Sequence, residues 1–135
     1  METVLKTLVG IGAGIASFLW GGWSAALGSL LFFVATDYVT GVVAAAKEGQ
    51  LSSQVGVYGI ARKVGVFAIV ALAHMVDQQL GDGHMFRDGT VAFYLANEAL
   101  SIIENAGRIG VPIPPKVQEM IETLRRKGEK KNENQ

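Results

Sequence analysis

Cysteine is absent from this 135-residue chain, which excludes disulfides, zinc–thiolate sites and a cysteine nucleophile. Proline is scarce, and all three prolines fall in "VPIPP", residues 111–115. Net charge is also missing: the formal sum is +0, so no overall basic field points to nucleic acid. Charge of either sign is nearly absent from the first third. Between Thr7 and Ala46, Asp37 is the only charged side chain. The basic residues gather late, with six Lys or Arg between Lys116 and Lys131. An oily body with a charged tail is a membrane pattern.

What is abundant is apolar sequence. A spanning helix needs roughly 20 mostly apolar residues, and the run Thr7–Ala46 is long enough for two. "WGGW", Trp20–Trp23, divides it, because paired glycines break a helix and tryptophan favours the interface. Helices are therefore expected over about Thr3–Phe18 and Ser24–Ala46. Ser24 and Ala26 imitate a signal-peptide cleavage site, but the chain beyond them is equally oily, which argues against one. The stretch Lys47–Lys63 reads as a loop with an interfacial turn, its Ser-Ser pair suited to capping a short helix. A third helix is expected over Lys63–Leu80. After the turn-rich Gly81–Gly89, a fourth starts near Thr90 and stops at "VPIPP". A short amphipathic helix over Lys116–Leu124 and a disordered "RRKGEKKNENQ" complete the chain. The expected organisation is all-α and polytopic: residues 1–115 form a self-assembling membrane domain and residues 116–135 a charged cytoplasmic tail.

Lys and Arg counts set orientation. Three lie in Lys47–Lys63 and six in the tail, against only Arg87 in Gly81–Gly89. Four spans place the amino terminus, the middle loop and the tail inside. Three spans, with the fourth helix in the interface, form the alternative.

Polar residues within apolar helices carry the functional signal. A mid-bilayer carboxylate costs about 2.5–3.5 kcal/mol, so Asp37 should face protein or water. Its expected role is packing or assembly, through hydrogen bonding more than fixed charge. His74 and Asp77 share a helix face, but no serine elbow accompanies them and a metal needs more ligands; neither catalysis nor a cofactor is expected. The pair reads as a polar seam for assembly near the outer end of the third helix, against which the polar residues of the fourth can hide. On the fourth helix, Asn97, Ser101, Glu104, Asn105 and Arg108 recur at helical spacing, with Glu98 beside them. Such a stripe suits a lumen, a protein interface or the membrane surface. Gly10/Gly14, Ser24/Gly28 and Gly41/Ala45 set small residues one turn apart, as closely packed membrane helices do.

The motifs "DYVTG" (Asp37, Tyr38 to Gly41), "LSSQVGVYGIARK" (Leu51–Lys63), "AHMVD" (Ala73–Asp77) and "YLANEALSIIENAGRIGVPIPPKV" (Tyr94–Val117) follow one another in an order and spacing that resemble the bacteriophage and toxin-secretion holins. That group contains the clostridial toxin-release holin and small Bacillus phage holins. Gln54 departs from the acidic residue of many relatives. The resemblance implies a homo-oligomeric, lesion-forming protein of the host cytoplasmic membrane, functionally partnered by an endolysin without required contact. A non-lytic gated channel or toxin exporter and a membrane anchor are the alternatives.

Overall fold

The structure, a computed structural model, describes residues 1–133. Five helices account for its regular structure: α1 (Glu2–Trp20), α2 (Ala25–Lys47), α3 (Ser53–Leu80), α4 (Met85–Ile109) and α5 (Pro115–Glu133). The first three are long and apolar enough to cross a membrane. At 1.5 Å per residue, 23-residue α2 is about 34 Å long, against a hydrocarbon core of about 30 Å.

The expected break between α1 and α2 is present. Gly21 turns the chain at φ 75°. A Cβ there would lie 2.7 Å from His74 Cε1, so backbone conformation and crowding both require glycine. Ser24 caps α2 by accepting the Leu27 N–H at 3.2 Å, a backbone task within this chain. Gly28 faces the Trp23 indole.

Three boundaries differ from expectation. α3 begins at Ser53, so most of the expected loop Lys47–Lys63 is helical, and Ser52 caps a 28-residue helix by accepting the Val55 N–H. The glycines that suggested a loop are a packing surface. The Tyr38 ring lies against Gly59, where an added Cβ would come within 3.3 Å, and its hydroxyl donates to the Gly56 carbonyl. α4 starts at Met85 and not near Thr90, because Asp77 supplies a cap from outside: its carboxylate accepts the Phe86 and Arg87 N–H groups, each at 2.8 Å. α5 continues to Glu133, so the tail expected to be disordered is helical up to that residue. Its final two positions lie outside the described residues.

Leu27, Leu30 and Val34 of α2, Val70 of α3 and Val91 of α4 form the buried core, flanked by Trp20, Phe67 and Tyr94. Trp20 Nε1 donates to the Phe67 carbonyl at 3.0 Å, and Arg87 donates to the Trp20 carbonyl at 2.9 Å. The end of α1, the second half of α3 and the start of α4 thus meet toward one end of the bundle. At the other, Lys47 Nζ donates to the Ile109 carbonyl at 2.9 Å and Arg108 binds Glu48. α4 therefore runs beside α2 over the same height, although it is more polar than the other three. Of the four bundle helices α1 is held most lightly; Val4, Leu8, Ile11 and Ile15 are exposed, as lipid-facing residues are.

Candidate functional site

Asp37 sits ten residues before the end of α2, roughly 15 Å from that end along the helix. It is 5% exposed. Two helices answer it. Lys63 of α3 forms an ion pair with Oδ2, and Ser101 of α4 donates to Oδ1 at 2.6 Å. Asn105 Nδ2 lies 2.8 Å from Oδ1, 3.1 Å from the Asp37 carbonyl and 3.1 Å from Thr40 Oγ1. Gly41 makes room, since an added Cβ would stand 3.4 Å from that amide. Lys63 also reaches Glu98 Oε2 at 2.6 Å.

The chain of contacts continues to the bundle end. Arg108 donates to Asn105 Oδ1 at 3.3 Å and grips Glu48 through two nitrogens, at 2.9 and 3.0 Å. Beside Arg108, the Glu48 carboxyl is held below the ordinary Glu range, an effect that outweighs its partial desolvation. Glu98, Lys63, Asp37, Asn105, Arg108 and Glu48 are therefore linked from mid-bundle to rim. Lys63 is one ammonium serving two buried carboxylates. Removing one partner of such a buried pair typically costs about 3–5 kcal/mol.

This network borders a cleft of about 430 Å³ between α2, the first half of α3 and the second half of α4. Tyr38, Gly41, Asn97 and Arg62 also line it.

The inward face of α4 differs from the expected stripe. Glu98, Ser101 and Asn105, at i, i+3 and i+7, turn inward, while Asn97 and Glu104 are exposed. Nor do His74 and Asp77 meet this stripe. They lie at the opposite end, beside Gly21 and the start of α4. His74 is 3% exposed and stacks on His84 with ring centroids 6.1 Å apart. In the following loop, burial and the neighbouring Asp77 push the Asp82 carboxyl above the ordinary Asp range. Among the described residues no group of three or more His, Cys, Asp or Glu is arranged to hold a metal. A Cβ on Gly10 or Gly14 would meet nothing within 4 Å, so among the described residues these glycines pack against no other helix.

Sequence reasoning missed the roles of Lys63, which it placed at the boundary between the loop and the third helix, and of Glu48. The signal for Lys63 was Asp37 itself: a carboxylate in mid-membrane demands a cation, and Lys63 borders the next apolar run.

A model of the bacteriophage holin family matches residues 14–126. An uncharacterised protein of Halalkalibacterium halodurans is 42% identical, covering 93% of this chain and 96% of its own length. An uncharacterised protein of Clostridium perfringens is 38% identical, covering 82% and 85%. A protein of Bacillus phage phi105, named a probable holin, is 35% identical, covering 72% of each chain. No solved structure matches.

Proposed function

This chain belongs to the bacteriophage holin family, and on that basis we propose that it collects in the bacterial cytoplasmic membrane, self-associates and opens lesions through which a cytoplasmic endolysin reaches the cell wall. The observation that carries the reading is the inward-facing polar surface of α4. In one copy, Glu98, Ser101 and Asn105 are satisfied by Lys63 and Asp37. A bundle sealed this way presents apolar surface to lipid and tolerates storage in the bilayer. In an oligomer the same face turns to water, joined by Asn97, Glu104 and Arg108, so its polar groups are satisfied in both states. Membrane association brings local concentration to bear on that balance. The open face around Gly10 and Gly14 and the neighbourhood of Gly28 supply close helix contacts between copies.

In this reading α4 is the fourth crossing, because it shares both bundle ends with α2. Residues 1–115 are the membrane domain. The amino terminus, the Lys47–Ser52 connection and residues 116–135 face the cytoplasm. The asymmetry of Lys and Arg supports this orientation: Lys47, Arg108 and the basic residues of α5 belong to one end, and Arg87 to the other. His74 and Asp77 then act as an outer clasp on α4.

The test is a reversible lock between α2 and α4. Glu48→Cys and Arg108→Cys are introduced together, and the purified protein is joined with a cleavable bismaleimide. It is then placed in liposomes loaded with an enzyme and a small dye. The linked protein should release neither cargo, and cleaving the linker should release both. Enzyme release from the linked protein overturns the rearrangement of α4. Passage of dye alone after cleavage replaces the lesion with a selective channel.

A further inference from the structure

The cleft beside Asp37 continues onto the outside of the bundle. Val55, Gly59 and Arg62 line both it and a second groove of about 910 Å³ along the first turns of α3. That groove is largely apolar, with Val57 and Tyr58 exposed on it. A polar chamber therefore opens sideways onto a greasy, lipid-facing track, and Arg62 stands at the junction.

The charges in the chamber are unevenly used. Arg108 is engaged by Glu48 at the rim. On the floor, the two acidic side chains Asp37 and Glu98 share the single ammonium of Lys63. Arg62 carries the opposite charge, yet among the described residues it makes no ion pair or side-chain hydrogen bond, with Asp37 and Glu98 included. A free guanidinium and an acidic pair served by one ammonium thus occupy one cleft without meeting. Separated opposite charges in a cleft that opens sideways to lipid attract a ligand carrying the complementary pair.

We infer that this cleft binds the headgroup of a phospholipid with both a phosphodiester and a primary ammonium, as in phosphatidylethanolamine. The phosphodiester pairs with Arg62, which matches its fork of N–H donors and has a stem long enough to lift the charge toward the headgroup region. The ammonium donates to the carboxylate oxygens around Lys63. An acyl chain follows the apolar track past Val57 and Tyr58. The chamber's volume falls within the range of about 300–1,000 Å³ found for small-ligand sites. Phosphatidylglycerol offers the phosphate without the cation. Phosphatidylcholine offers a cation without N–H donors. This assignment rests on membrane placement and is independent of lysis.

Native mass spectrometry of the full chain, released from detergent with the three lipids at matched acyl chains, tests it. One phosphatidylethanolamine per chain should survive, at least tenfold above phosphatidylcholine and above phosphatidylglycerol. Arg62→Gln should reduce retention to the phosphatidylcholine level, and Arg62→Lys should restore part of it. Circular dichroism of each variant reports its helix content. Should Arg62→Gln lose helix, the comparison of the three lipids on the wild-type chain decides alone. Equal retention of phosphatidylethanolamine and phosphatidylcholine, preference for phosphatidylglycerol, or full retention by a folded Arg62→Gln protein overturns the assignment.

Discussion

Lys63 and Asp37 stand 26 positions apart in sequence and form an ion pair in the interior of the bundle, joining the third helix to the second. The same ammonium holds Glu98, so one lysine ties three helices together.

Lys63→Met should therefore leave two buried carboxylates without a cation and destabilise the folded protein by about 3–5 kcal/mol. Adding Asp37→Asn and Glu98→Gln to Lys63→Met should recover most of the loss, because no uncompensated charge remains. Thermal unfolding in detergent measures both. A triple variant as unstable as the single one would show that Lys63 acts through packing and not through its charge.

Much of the helical plan was legible because membrane helices announce themselves by long apolar runs, and "WGGW" and "VPIPP" are strong stops. The start of α3 was not legible, since Gly56 and Gly59 resemble loop residues until Tyr38 is seen lying on them. The start of α4 depends on Asp77, a cap borrowed from another helix, which no local pattern reveals. In the candidate site, Asp37 stood out because burying it is costly. Its counter-ion was hidden because Lys63 stands at the edge of an apolar run, where a cation also suits an interface. The direction of the α4 stripe was uncertain by one position, and that position exchanges Glu98 for Asn97.

Orientation is open to direct measurement, helped by the missing cysteine. Single cysteines at Gln50, Gln79 and Glu122 place one thiol at each end of α3 and one on α5; all three positions are exposed. An impermeant thiol reagent on intact cells should modify Gln79→Cys alone. Modification at 50 or 122 before any lesion opens would reverse the assigned orientation.

Acidity should act differently at the two ends of the bundle. Glu48 has its pKa lowered by Arg108, so its stabilising contribution is present above the ordinary Glu value of 4.5 and is lost as pH falls through the lower, folded value. Asp82 has its pKa raised by burial and by Asp77, so the folded state favours its protonated form. That advantage is complete below the ordinary Asp value of 3.8 and disappears as pH rises through the folded value. Asp82→Asn should raise the melting temperature at pH 7 and flatten its pH dependence between there and the ordinary Asp range. A melting temperature unchanged or lowered by Asp82→Asn would mean that the charge at 82 is not a burden on the fold.

The basic end of α5 should tune timing without building the lesion. Basic residues near an anionic surface contribute about 1 kcal/mol each, and the segment beyond Leu124 holds five of the six late Lys and Arg. A chain ending at Leu124 should still lyse an expressing culture, with a shifted onset read from turbidity. Stable insertion without any permeabilisation would make the segment structural.

The partners of Asp37 also arrive late during synthesis. Lys63 follows it by 26 residues, Ser101 by 64 and Asn105 by 68. As the ribosome works from the amino terminus, α2 enters the insertion machinery with its carboxylate still unanswered, and Lys63 is the first relief to emerge. The polar face of α4 leaves the ribosome only after both α2 and α3 have been made, when a surface that can receive it already exists. The four-span reading thus has an order of arrival: the most polar of the four bundle helices is translated after the helices whose polar groups it meets.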